Sequence, residues 1–278
     1  MWKTTRGMAY VIMPVLVAAW VILYWFPDRT KQLWAWTMKP SMTAITMGAG
    51  YMGGAWLFFR VTRNRESYRL VGVLVGAFVF TTLLGVATAI HWDKFNHVHV
   101  SFWAWLFLYT VSPVLLAVLA VQHRRAAAAR PAPPDVEVPV AARAALAVVG
   151  AAQVSAAATW FVAPNLAMQI WPWKLTDLTA RSLSAYVAFT GALLLWTLVD
   201  HRWGAVRIGV EAVTVGLTLT GLGALRAQGD FTGPTPALVG YAVGLLLVLA
   251  LVIWLQVTLT PRVQRAAAAA PSASPAAT

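Results

Sequence analysis

The chain has 278 residues, 60% of them hydrophobic and 11% charged, with a net charge of +12 and no cysteine. A soluble domain is nearer half apolar and a quarter charged, so this apolar surplus needs lipid to cover it. The missing cysteines exclude disulfides, thiolate metal sites, iron–sulfur clusters and cysteine nucleophiles, and the 21 Lys and Arg are scattered between apolar runs rather than gathered on a basic face, which argues against nucleic acid as a partner.

A helix crossing a hydrocarbon core of ~30 Å needs about 20 apolar residues. Eight segments qualify in chain order: 8–26, 43–59, 70–90, 102–121, 144–162, 183–199, 208–225 and 237–257. None alternates in the manner of a membrane barrel strand, so the reading is helical. The first follows Lys3 and Arg6 as a signal peptide would. Its apolar run is too long for one, and Tyr24-Trp25-Phe26-Pro27 offers no small-residue cleavage site.

Between the first and second segments lies Trp34-Ala35-Trp36, followed by Pro40-Ser41-Met42-Thr43-Ala44. A second version, Trp171-Pro172-Trp173-Lys174-Leu175-Thr176, stands between the fifth and sixth segments. Each copy has one span before it and three after it. The expected fold is therefore an all-α membrane protein whose eight transmembrane helices form two parallel four-helix repeats. An even number of spans per unit gives both units the same orientation, related by an axis along the membrane normal. The units are expected at 1–125 and 143–262, with an Ala/Pro-rich linker at 126–142 and a disordered, low-complexity tail at 263–278.

Basic residues set the orientation. With the N-terminus inside, fourteen Lys and Arg fall on inner segments and seven on outer ones, which places both termini in the cytoplasm of a bacterial plasma membrane. Both Trp-x-Trp copies then lie just outside the hydrocarbon. Trp34, Trp36, Trp171 and Trp173 are expected as interfacial anchors, or alternatively as the lining of a shared vestibule. Gly50/Gly54, Gly72/Gly76 and Gly240/Gly244 have the spacing that lets helix backbones approach closely. Pro14 and Pro113 lie inside spans, where they should kink them.

The densest polar cluster, His91-Trp92-Asp93-Lys94-Phe95-Asn96-His97-Val98-His99, is the outer loop between the third and fourth spans. His91, Asp93, His97 and His99 could together serve a metal ion or a pH-responsive cap, or be plain loop residues. On a helix His97 and His99 would point about 200° apart, so one ion could hold both only from an extended loop. Asp93 and Asp230, placed alike in their units, suit helix capping or pairing with Lys94 and Arg226. Glu211 is the one acidic residue well inside a span. It shares a helix face with Arg207, four positions earlier, and fits either a structural ion pair or a transport or proton site. Gln153, Ser155, Thr159, Thr214 and Thr218 read as hydrogen-bonding groups between helices.

No phosphate-binding loop, zinc-hydrolase motif or nucleophile elbow occurs, and no span carries a central lysine for a Schiff base. No catalytic residue and no cofactor is therefore assigned. The segments Trp34-Ala35-Trp36, Pro40-Ser41-Met42-Thr43-Ala44, His91-Trp92-Asp93-Lys94-Phe95 and Phe102-Trp103-Ala104-Trp105, with Trp171-Pro172-Trp173-Lys174-Leu175-Thr176, resemble a set of multi-pass membrane proteins of actinobacteria and similar bacteria. That resemblance implies the span count and brings no activity with it.

Two functions fit these features. The first is a small-solute or ion permease or channel-like protein, with a water-accessible cavity between the units that reaches Glu211. The second is a non-catalytic scaffold, assembly factor or sensor that works through partners. Partners implied are the lipid bilayer and either a second copy of the chain or another membrane protein.

Overall fold

The computed structural model describes residues 1–129 and 135–269, with side chains to Arg262. It is all-helical, and among the described residues the only β-type pairing is an isolated bridge between Glu137 and Arg202. The helices are α1 (Trp2–Trp20), α2 (Thr30–Leu33), α3 (Ser41–Arg63), α4 (Tyr68–Ile90), α5 (Val100–Ala128), α6 (Val140–Val162), α7 (Pro164–Ile170), α8 (Asp177–Val199), α9 (Trp203–Arg226) and α10 (Thr235–Ala269). A π-helical stretch, Val21–Trp25, extends α1. Pro14 and Pro113 both lie inside their helices, α1 and α5.

Among the described residues, seven helices are long and apolar enough to cross a membrane: α1 with its extension, α4, α5, α6, α8, α9 and α10. The protein is a polytopic membrane protein on this ground. The segment at 43–59 lies within α3, which is not among the seven. At 1.5 Å per residue its 23 residues reach about 35 Å, so length is not the obstacle. The obstacle is composition, because glycines and threonines occupy positions that other spans fill with Leu and Val. Fourteen of the 23 residues are buried, and α3 is thus covered chiefly by protein.

α3 packs against α1 on one side and α9 on another, α4 packs against α5, α8 and α9, α6 against α8, and α10 against α9. Lipid offers no hydrophobic drive between helices, so close approach is what holds them. The α3–α9 seam is closed by glycine, since a Cβ on Gly53 would stand 2.7 Å from the Ala212 carbonyl oxygen. The α4–α8 seam is similar, with Gly72 under the Trp196 indole and Gly76 under Leu193. Gly50 lies against the Tyr186 ring, and Gly150 and Gly191 face each other between α6 and α8. Gly240 and Gly244 do not fit the expected pattern. Nothing lies within 4 Å of a Cβ at either, because that face of α10 is turned outward.

The connectors gather at two ends. Asn96 N donates to Ala35 O, Gly233 N to Pro172 O, and Trp173 Nε1 to Thr43 Oγ1, so 34–40, 91–99, 171–176 and 227–234 share one end, here the tryptophan end. At the opposite, arginine end the segment 135–139 is pinned rather than loose. Val138 N donates to His201 O, Trp203 N to Val136 O, and the Asp135 carboxylate accepts from Gly204 N at 2.9 Å. Part of the expected linker, 130–134, lies outside the described residues, as do 270–278 of the expected disordered tail. α10 runs into the earlier part of that tail, to Ala269.

These seams make a prediction about small substitutions. Gly53→Ala should destabilise the protein by about 1–3 kcal/mol through overpacking of backbone on backbone. Gly244→Ala should be neutral or stabilising by up to ~1 kcal/mol, because only helix propensity changes there. Thermal unfolding of the two variants in the same detergent checks both, and equal effects would contradict the seam.

Candidate functional site

A cavity of about 60 Å³ lies in the middle of the bundle. Its apolar wall comes from α1 (Ile12, Leu16), α3 (Leu57, Phe58), α4 (Phe80) and α5 (Leu108, Leu116), closed by Phe189 of α8. Its polar groups are hydroxyls: Tyr51, Tyr109, Tyr186, Thr81 and Ser112. Gly50 and Gly54 supply part of the wall, and the missing side chain of Gly50 lets the Tyr186 ring lie directly against α3.

Three tyrosines from three helices meet at this cavity. The Tyr51 and Tyr109 hydroxyls lie 2.9 Å apart, and Tyr186 Oη donates to the Met47 carbonyl at 3.1 Å. The rings are held by contact: Tyr51 and Tyr186 meet edge-on at 6.0 Å, and Phe80 lies 4.7 Å from Tyr186. A phenol both donates and accepts, so the cluster can recognise a hydroxyl or a carbonyl. No cationic or acidic side chain lines the space. An ion would lose its hydration there without a counter-charge, and the cavity therefore suits neutral molecules.

The first Trp-x-Trp forms the roof. Trp34 and Trp36 are buried, not turned to lipid as interfacial anchors would be. Trp36 packs on Trp105 at 4.8 Å and on Phe95 at 5.1 Å, Trp34 on Trp105 and Tyr51 at 6.0 Å, and Trp105 on Tyr109 at 4.3 Å. An aromatic column therefore runs from the connector down to the hydroxyls. Trp105 is fixed by donating Nε1–H to Thr88 Oγ1 at 2.8 Å. The second copy builds a separate cluster. Trp173 is buried against Trp171, Phe231 and Tyr241, at 5.3–5.5 Å, and Trp171 is half-buried beside it. Three of the four rings, Trp34, Trp36 and Trp173, spend their apolar surface on protein rather than facing outward as anchors would.

The histidine cluster disperses. Among the described residues no group of three His, Cys, Asp or Glu side chains is placed to hold a metal ion. His97 stacks on Trp92 at 4.9 Å, and His99 caps α5 by accepting from Ser101 N at 3.2 Å. Asp93 pairs with the adjacent Lys94 at 2.7 Å, in solvent, and the hydrogen bond from Lys94 holds its carboxyl below the usual range. Asp230 neither caps α10 nor pairs with Arg226. Its carboxylate accepts from Met42 N at 2.7 Å, at the first turn of α3, where a negative charge suits the helix N-terminus. Arg226 instead donates to the Tyr24 carbonyl and stacks over Tyr24 and Trp25.

His91 lies 2.9 Å from Arg181 Nη1 through Nε2. A guanidinium can only donate, so that nitrogen must carry the lone pair and the imidazole is neutral. Burial first, and then the Arg181 charge, hold the His91 pKa below its ordinary 6.5. A base whose folded pKa is lowered contributes stability above the ordinary value and loses it as the pH falls from 6.5 through the lowered value. Unfolding temperature should thus drop between pH 7.5 and pH 5, and the drop should shrink in His91→Gln. An unchanged pH profile in that variant would contradict the pairing.

Glu211 stands apart from the cavity, at the arginine end. It is buried and held between two helices: Arg60 of α3 donates Nη1 to its Oε2, and Arg207 donates Nε to its Oε1 at 2.8 Å. Trp56 Nε1 adds a third bond at 3.3 Å. Arg60 and Trp56 were not legible as partners, since they lie more than 150 positions away. Beside this centre the Asp135 carboxylate accepts from Tyr68, Arg202 pairs with Asp200, and Arg202 covers the Tyr68 ring at 4.1 Å. Of the polar span residues, Gln153 accepts from Thr190 of α8 at 3.1 Å, and Thr214 accepts from Gln256 of α10 at 2.7 Å, both between helices as expected. Thr159 instead bonds the Ser155 carbonyl within α6.

Breaking a fully buried ion pair from one side costs about 3–5 kcal/mol. The two arginine side chains here are 26% and 31% exposed, which lowers the expected cost of Glu211→Ala to about 2–3 kcal/mol. Adding Arg60→Ala should recover part of it by removing one unpaired charge. Urea unfolding of the single and double variants tests this, and a single variant as stable as the parent would contradict it. Compared with known protein families, characterised proteins and solved structures, the chain matches none.

Proposed function

We propose that the protein is a small-molecule permease of the bacterial plasma membrane, with the tyrosine-lined cavity as its substrate site. The observation that carries this is the mid-bundle cavity itself, in which hydroxyls from α3, α5 and α8 converge inside an apolar wall. Largely apolar pockets with a few convergent polar groups are where small molecules bind.

In this reading eight helices cross the bilayer as two parallel units, α1, α3, α4 and α5 followed by α6, α8, α9 and α10. Helix pairing supports it. α1 on α3 corresponds to α6 on α8, and α4 on α5 to α9 on α10, while α3 on α9 and α4 on α8 exchange under the same operation. α4 and α9, the third span of each unit, meet where the axis would pass. The accumulation of Arg60, Arg63, Arg65, Arg69, Arg124, Arg125, Arg202 and Arg207 at one end supports a cytoplasmic position for that end and for both termini.

Glu211 takes no part in the substrate path of this reading. Its carboxylate is engaged by two arginines and a tryptophan, and it does not line the cavity. The aqueous vestibule expected to reach it between the units is replaced by glycine-tight seams. Those close-packed seams are also what favours the second reading, a scaffold or sensor that acts through a partner protein.

A thermal-shift panel of neutral small molecules on the purified protein separates the two. A ligand at 100 times its Kd stabilises a one-site protein by about 2.7 kcal/mol. The permease reading expects at least one stabilising compound whose effect is lost in Ser112→Phe, which fills the cavity, and kept in Glu211→Gln. It also expects flux of that compound into proteoliposomes. Stoichiometric co-purification of another membrane protein, with no stabilising compound, would favour the scaffold.

A further inference from the structure

We infer that the cavity is filled sideways from the bilayer, through the cleft between α1 and α5, by a membrane-dissolved molecule with an apolar body and one hydroxyl or carbonyl end. This rests on the reading of the cavity as a binding site. It adds the route and the chemical class.

The route follows from how the two helices are held. α1 packs along α3 and α5 along α4, and among the described residues the two have no comparable packing along each other. They are tied at the arginine end by one buried latch. His123 of α5, fully buried, lies 2.9 Å from Thr5 Oγ1 of α1, meets the Trp2 ring edge-on at 4.8 Å and lies 3.2 Å from Ser67 Oγ. Seven residues along from the latch on each helix, about 10 Å by helical rise, Ile12 and Leu116 both line the cavity. The two antiparallel helices thus meet at their base and enclose the cavity higher up.

Other directions are closed. Toward the tryptophan end stands the column of Trp34, Trp36 and Trp105. Toward α8 stand Tyr186 and Phe189, and below lies the His123 latch. On the same stretches of α1 and α5, Val11, Val15, Phe107, Val111 and Val114 are exposed and apolar, with Tyr10 and Thr110 as the exposed hydroxyl-bearing residues among them. A surface of that kind borders hydrocarbon, not water. Pro14 and Pro113 lie on the same stretches of α1 and α5, and each removes a backbone hydrogen bond that would stiffen its helix.

The ligand class follows from the lining. Apolar side chains of α1, α3 and α5 face the body of the molecule, and the tyrosines can bond only its polar end. When two hydroxyls share one hydrogen bond, as Tyr51 and Tyr109 do, one of their two protons is left to donate elsewhere. With no charged side chain in the wall, charged amphiphiles are disfavoured against neutral alcohols, phenols and ketones.

The absence of native cysteine permits a direct test in proteoliposomes. Ser112→Cys places a thiol in the cavity wall, and Leu16→Cys serves if the first variant folds poorly. The inference expects labelling by membrane-soluble N-phenylmaleimide and at least tenfold slower labelling by a charged methanethiosulfonate sulfonate from either side. It also expects n-dodecanol to slow maleimide labelling severalfold, with dodecane and dodecanoate less effective. Equal labelling by the charged reagent overturns the lateral route and leaves the cavity as an aqueous binding site. No labelling by the neutral reagent overturns the route as well, since the cavity is then sealed. Lateral labelling without protection by dodecanol overturns the ligand class.

Discussion

The structure is arranged around a helix that lipid would cover poorly. α3 carries Gly48, Gly50, Gly53 and Gly54 with Thr43 and Thr46, and its burial among other helices is what permits that composition. Burying it requires neighbours at close range on several sides, and the glycines make that range available. Ala212 of α9 stands at backbone distance from Gly53, Tyr186 of α8 against Gly50, Tyr24 of the α1 extension against Gly48. The cavity is a by-product of the same arrangement. On the side where α3 presents Gly54, Leu57 and Phe58, α1 and α5 stand apart and leave space.

The two ends solve different problems. At the tryptophan end the connectors must cover the helix ends, and they do so with stacked rings, two of which also bond specific partners through Nε1, Trp105 to Thr88 and Trp173 to Thr43. The same end fastens the halves of the chain together through Asp230 on the first turn of α3 and Arg181 on His91. At the arginine end the fastening is ionic, with Glu211 holding α3 to α9 and Asp135 holding the connector to Gly204 of α9. Both devices act across long sequence separations. They fix which helices are neighbours in a setting where apolar contact alone does not discriminate between neighbours.

Much of this was legible. Long apolar runs and loop-bound charge pointed to the membrane class and to seven of the eight expected spans, all but 43–59, and Arg207 with Glu211 was readable from their four-residue spacing. Several features were not, for physical reasons. Trp34 and Trp36 resemble interfacial anchors because the same residue suits a headgroup zone and an aromatic core, and only the neighbours Trp105 and Phe95 decide between them. Gly240 and Gly244 have the spacing of a packing pair, yet spacing does not reveal whether a helix faces protein or lipid. The tyrosine cluster was invisible as a site because Tyr51, Tyr109 and Tyr186 come from three helices and share no local motif. Asp230 on α3 and Arg60 on Glu211 are likewise tertiary events, with no trace in the nearby sequence.

The parallel units and the cavity beside α3 both require α3 to cross the bilayer, although it is less apolar than its neighbours. Single cysteines at the exposed positions Lys39, Lys174 and Arg65 test this in sealed vesicles with an impermeant thiol reagent. Lys39→Cys and Lys174→Cys are expected to react from one side and Arg65→Cys only from the other. If Lys39→Cys and Arg65→Cys react from the same side, α3 does not cross, and both the parallel units and the cavity beside it are contradicted.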